Sequence, residues 1–114
     1  IEKNLIDQIY KKKSSSNRPF FSLENKIVGE SHKKKISKIK KYLNDNKSDY
    51  LFITAPENVA WLLNIRGKDN PNSPIPNARL ILDKEKKIYF FSDLKKIKKI
   101  KKKINYKKIN YYIF

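Results

Sequence analysis

The residues with the most chemical promise lie in one stretch, "VAWLLNIRGKDNPNSPIPNARLIL", residues 59–82. It holds the only tryptophan, Trp61, two of the three arginines, Arg66 and Arg79, and three of the five prolines. Arginine is notable in a chain of 114 residues whose other basic residues are all lysine. Its planar fork of donors suits a carboxylate or a row of backbone carbonyls, which an ammonium group matches less well. Asp69 follows Arg66 at a spacing of three, and an Arg66–Asp69 pair bracing the loop is the simplest use of both. The alternative is that Arg66 or Asp69 faces a cleft. Asn64, Asn70, Asn72 and Asn77 can bond local backbone and fix irregular structure.

Other chemistries are excluded by composition. There is no cysteine, so disulfides and thiolate metal sites are ruled out, which fits a reducing compartment. One histidine, His32, argues against a histidine-based metal site or a histidine catalytic base. No apolar run approaches the ~20 residues of a membrane span, and Ile1-Glu2-Lys3 opens no signal peptide. The absence of methionine suggests a piece of a longer polypeptide. The net charge of +17 would suit nucleic acid. Yet residues 49–93 are electrically neutral, with six basic and six acidic side chains, and the excess lies in the flanks. Abundant Lys, Ile, Asn, Tyr and Phe is also what an A/T-rich genome produces without any binding function.

These residues need a frame. Leu5, Ile6, Ile9 and Tyr10 are spaced as one face of a short helix, and 11–19 reads as a linker ending at Arg18-Pro19. Phe20 and Phe21 are expected to anchor that linker on the surface. Ser31 caps a helix carrying Ile36, Ile39 and Leu43, with its lysines mostly on the opposite face. Residues 50–54 form a strand. Pro56 starts a second helix that buries Val59, Leu62 and Leu63, with Trp61 in the core or at its edge. Gly67 is expected to stop it in the left-handed conformation. Three prolines exclude regular structure from 68–77. Residues 78–83 and 87–91 form a hairpin, Leu94, Ile97, Ile100 and Ile104 a lysine-coated helix, and 109–114 a last strand. The order is α-α-β-α-β-β-α-β, an α/β layered pattern.

The motifs also carry a resemblance. "ENVAWLLNIRGKDNPNSPIPNARLIL" resembles the "(D/E)-(I/V)-A-W-L-(L/F)-N-(I/L)-R-G-x-D" signature of Xaa-Pro aminopeptidases of the three-domain type. "LIDQIYKKKSSSNRPF" is similar to that family's linker, and "VGESHKKKISKIKKYL" to the helix that follows it. Asn70 and Val28 depart from the pattern. The resemblance implies a creatinase/prolidase N-terminal-domain-like (ribonuclease H-like) fold with a mixed sheet, truncated at its C-terminal end. Residues 1–19 would then be a helix and linker from a preceding domain, and 20–114 an incomplete creatinase-like, non-catalytic domain.

The implied parent is a cytoplasmic aminopeptidase that removes an N-terminal residue preceding proline. Its C-terminal catalytic domain would hold two divalent metal ions, commonly manganese, and none of those ligands is present in this chain. The fragment is expected to be inactive and cofactor-free, with that catalytic domain and peptides with proline second as its partners. Trp61, Asn64, Arg66 and Asp69 would line the substrate cleft. Two other readings are a lysine-rich nucleic-acid-binding module, the less favoured, and a homodimer formed through the strand at 109–114.

Overall fold

The computed structural model describes residues 16–104 and 108–113, so the helix expected over 2–12 lies outside the described residues. Ten elements follow in order: β1 (Phe21–Ser22), α1 (Asn25–Val28), α2 (His32–Asp45), β2 (Tyr50–Ile53) and α3 (Pro56–Leu63). Then come β3 (Ile65–Arg66), β4 (Arg79–Asp83), β5 (Ile88–Phe91), α4 (Leu94–Lys103) and β6 (Ile109–Tyr112). The short α1 and the β1–β3 ribbon are additions to the expected order. Both are too brief for hydrophobic period to reveal.

The main sheet runs β2-β4-β5-β6. β4 pairs antiparallel with β2 and β5, and β6 pairs parallel with β5, so the sheet is mixed as expected. The β4–β5 hairpin turns through 84–86, where Lys86 takes φ 64° and Asp83 accepts N–H bonds from Lys86 and Lys87. Strand alternation sorts the side chains by face. Leu80, Leu82, Ile88 and Phe90 are fully buried beneath the helices. On the opposite face Tyr112 stacks on Phe91 with ring centroids 5.3 Å apart.

The helices cover the first face with apolar stripes. α2 contributes Ile36, α3 contributes Val59, Leu62 and Leu63, and α4 contributes Ile97 and Ile100. Ser31 caps α2 by accepting the Lys34 N–H at 3.3 Å. Asp93 caps α4 by accepting the Lys95 N–H at 2.9 Å. Pro56 occupies the first turn of α3, where no backbone donor is missed.

Three expectations are corrected. Phe20 does not rest on the surface: it is fully buried in the core, and its N–H bonds Lys96 O at 2.9 Å. Trp61 is 54% exposed and not a core residue. Its neighbours Val59, Leu62 and Leu63 take the inward positions of an eight-residue helix that has room for one stripe. Lys35 and Lys96 do not join the solvated lysine faces but are buried on the inner sides of α2 and α4.

Candidate functional site

Three of the expected site residues, Trp61, Asn64 and Arg66, meet where α3 ends. Its last carbonyls lack intrahelical partners and carry the negative end of the helix dipole. Asn64 closes the helix in the left-handed conformation, φ 55° and ψ 38°, which asparagine tolerates better than most residues. The helix stop therefore falls on Asn64 and not on Gly67. Lys35 reaches over from α2 and donates to Trp61 O at 2.7 Å and to Asn64 Oδ1 at 2.6 Å. Asn64 Nδ2 donates to Glu30 O at 2.9 Å, fixing which way the amide faces. Arg66 Nη1 donates to Ile65 O at 2.8 Å and Ala60 O at 3.3 Å. Two cations and one amide thus close a single helix end.

Lys35 also lies 4.4 Å from the centre of the Trp61 ring, a cation–π contact that holds the indole against the surface. Burial pushes the Lys35 ammonium below its usual pKa; nearby Glu30 opposes that and Arg66 adds to it. The anticipated Arg66–Asp69 pair does not form. Arg66 is occupied by the backbone carbonyls of Ala60 and Ile65, and Asp69 bonds Lys96 of α4 instead, Nζ to Oδ1 at 2.5 Å. The side chains of that pair are only 5% and 8% exposed.

Asp69 is the anchor of the 68–77 loop. Its Oδ2 accepts the Asn77 N–H at 2.7 Å, joining the loop's two ends. Ser92 Oγ donates to Asn77 O at 2.7 Å. At the tip Asn72 N–H donates to Asn70 Oδ1 at 3.0 Å, and Asn70 bridges to Ser73. Gly67 N–H bonds Pro74 O at 3.1 Å. A Cβ at Gly67 would sit 2.7 Å from Pro76 Cα and 3.1 Å from Phe20 Cδ1, so this glycine is required by close approach of backbone, not by a left-handed turn.

The four residues expected in one cleft do not share one: three border different hollows, and Arg66 lies against the end of α3 instead. Trp61 lines a groove of about 320 Å³ beside Phe52 and Asn58. Asn64, itself buried, backs a hollow with His32 and Lys103. Asp69 borders a hollow of about 550 Å³ with Glu57 and Pro71. On the loop's other flank, Arg18, Phe21 and Lys68 line a depression of about 430 Å³.

No group of three or more His, Asp or Glu side chains capable of holding a metal occurs among the described residues. Asp69 is already neutralised by Lys96, so the residues present do not fit a dinuclear metal site. No helix among them is long and apolar enough to cross a membrane.

A mixed sheet covered on one face by three helices carries the anchored proline loop at its side. The chain belongs to the creatinase/prolidase N-terminal domain family, whose sequence model matches residues 11–112. Its fold is similar to that of the X-prolyl aminopeptidase from Caenorhabditis elegans, described as a cytosolic enzyme with a di-nuclear active site. That likeness has a TM-score of 0.86 at 26% identity over 99% of this chain and 18% of the other. It is 28% identical over 94 residues to the "Probable Xaa-Pro aminopeptidase P" of Coprinopsis cinerea, covering 81% of this chain and 15% of that protein. To the "Xaa-Pro aminopeptidase 1" of Dictyostelium discoideum it is 29% identical over 75 residues, 66% of this chain and 12% of that protein. The chain thus spans less than a fifth of the length of these relatives.

Proposed function

We propose that this chain is a non-catalytic N-terminal or middle domain of a cytoplasmic, metal-dependent Xaa-Pro aminopeptidase, and that it shapes the access of peptides to a catalytic domain outside the chain. The observation that carries the reading is the likeness to an X-prolyl aminopeptidase over 99% of this chain and only 18% of that enzyme. The two divalent ions, manganese in our reading, would be held by the catalytic domain, where they activate water and polarise the scissile carbonyl.

This domain's residues act by shape. The ties at Asp69, Gly67 and Asn77 and the three prolines hold the 68–77 loop before any peptide arrives, which lowers the ordering cost of binding. Trp61, held by Lys35, would form exposed wall, while Asn64, Arg66 and Asp69 act from behind to set the loop's course. Residues 1–19 would lead in from a preceding domain.

The test is Arg66→Ala in the full-length enzyme, assayed with manganese on short and long Xaa-Pro peptides. A gate predicts a changed ratio of long to short turnover. Unchanged turnover of both with lower thermal stability would make the loop purely structural. Hydrolysis by the isolated 114-residue chain would overturn the reading entirely.

A further inference from the structure

The depression of about 430 Å³ between residues 18–21 and the 67–74 loop has a lining that the gating role leaves unused. Two cations border it, Arg18 and Lys68, and no carboxylate does. Neither forms an ion pair or a side-chain hydrogen bond among the described residues. Arg18 is also one of only three arginines in the chain. The remaining wall is both apolar and polar, with Phe21, 38% exposed, Pro71 and Pro74 beside Asn70, Asn72 and Ser73.

The floor is fixed before anything binds. Gly67 is pressed against Pro76 and bonded to Pro74 O, and the loop base is locked through Asp69, Lys96 and Asn77. Phe21 is held in register opposite Arg66 by the β1–β3 pairing. A rigid hollow with apolar rings, neutral donors and two uncompensated cations is complementary to a small anion carried on an apolar body. A guanidinium binds a carboxylate through two parallel N–H bonds, and an ammonium alongside adds charge without fixing direction.

We infer that this depression binds the free C-terminal carboxylate of a short proline-containing peptide. The inference rests on the proposed peptidase role and deepens it: it names the distal end of the substrate as what this domain recognises. Length selection follows, because a peptide held here by its C-terminus must match the span to the catalytic domain to present its N-terminal residue there.

The test uses the full-length polypeptide and pairs of Xaa-Pro peptides differing only in a free or amidated C-terminus. Metal-dependent turnover is measured alongside fluorescence-anisotropy binding of the labelled pairs. The wild type is expected to bind the acid about tenfold more tightly than the amide, as one charge-assisted contact allows. That preference should collapse toward unity in Arg18→Gln and Lys68→Gln, and fall with salt in the wild type. Lys41→Gln, which removes an exposed lysine on α2, should keep it.

Equal binding of acid and amide by the wild type, or an undiminished preference in Arg18→Gln, overturns the inference while leaving the peptidase reading intact. A drop in thermal stability in both variants with no change in preference also overturns it, and assigns the cations to docking another part of the polypeptide. Failure of the metal-loaded wild type to release residues before proline defeats the peptidase reading. The anisotropy ratio then still decides the carboxylate site by itself.

Discussion

Replacing Lys96 by methionine keeps most of the aliphatic stem and deletes the charge that faces Asp69. The pair's side chains are 5% and 8% exposed, and Nζ lies 2.5 Å from Oδ1. In Lys96→Met the carboxylate stays buried with the Asn77 N–H as its one remaining tie. Stranding one member of a buried pair costs about 3–5 kcal/mol. With a urea slope of about 1–2 kcal/mol/M for a domain of this size, the midpoint should fall by roughly 1.5 M or more. Asp69→Asn/Lys96→Met removes both charges, and the asparagine oxygen can still accept from Asn77. The double variant should therefore recover much of the loss, a strong positive coupling in a double-mutant cycle. Urea unfolding followed by circular dichroism on the wild type, both single variants and the double variant supplies the cycle. A midpoint for Lys96→Met within about 0.3 M of the wild type, or additive single-variant costs, would refute the claim that this pair clamps the loop.

Gly67→Ala forces a Cβ to within 2.7 Å of Pro76 Cα, so it should cost about 1–3 kcal/mol by thermal melting, while an alanine at an exposed position of α2 should cost little. Trp61, the sole tryptophan, should emit like indole in water and be readily quenched by iodide; a blue-shifted, protected spectrum would contradict its exposed placement. Burial first, then Lys33 and Lys35, hold the His32 imidazole below its ordinary pKa of 6.5. The unfolded chain therefore takes up that proton more readily, and stability present above pH 6.5 is lost as pH falls through and below it. The wild type should accordingly lose more stability than His32→Gln between pH 7 and 5, measured by urea midpoint; parallel pH profiles would contradict this.

The sheet and helices were legible because their signals repeat. Isoleucines at 36 and 39 and at 97 and 100 mark two stripes, and the 78–83 and 87–91 runs flank a short polar link. The mixed sheet came from the resemblance, since period alone does not set strand direction. The site was read less well. Arg66 and Asp69 are at a plausible spacing, but their partners sit 6 residues back, at Ala60, and 27 residues on, at Lys96. Tertiary competition of that kind leaves no local trace. Lys35 and Lys96 had a usable signal: each lies four residues before a stripe isoleucine, Ile39 and Ile100, and so on the buried side. The abundance of lysine around them hid it. The burial of Val59, Leu62 and Leu63 does not extend to Trp61, because an eight-residue helix buries one stripe and Trp61 lies off it.

The parallel β5–β6 pairing sets an order in time. β4 can zip to β5 as soon as the hairpin leaves the ribosome, and β2 is already waiting to join it. β6 can add only after α4 has emerged and folded back across the sheet, a non-local and therefore slow step. Until then Phe90 lacks the Tyr111 ring that packs edge-on against it at 5.8 Å. A nascent chain paused near residue 93 would thus display a sticky, half-roofed sheet, closed only when α4 and β6 fold onto it.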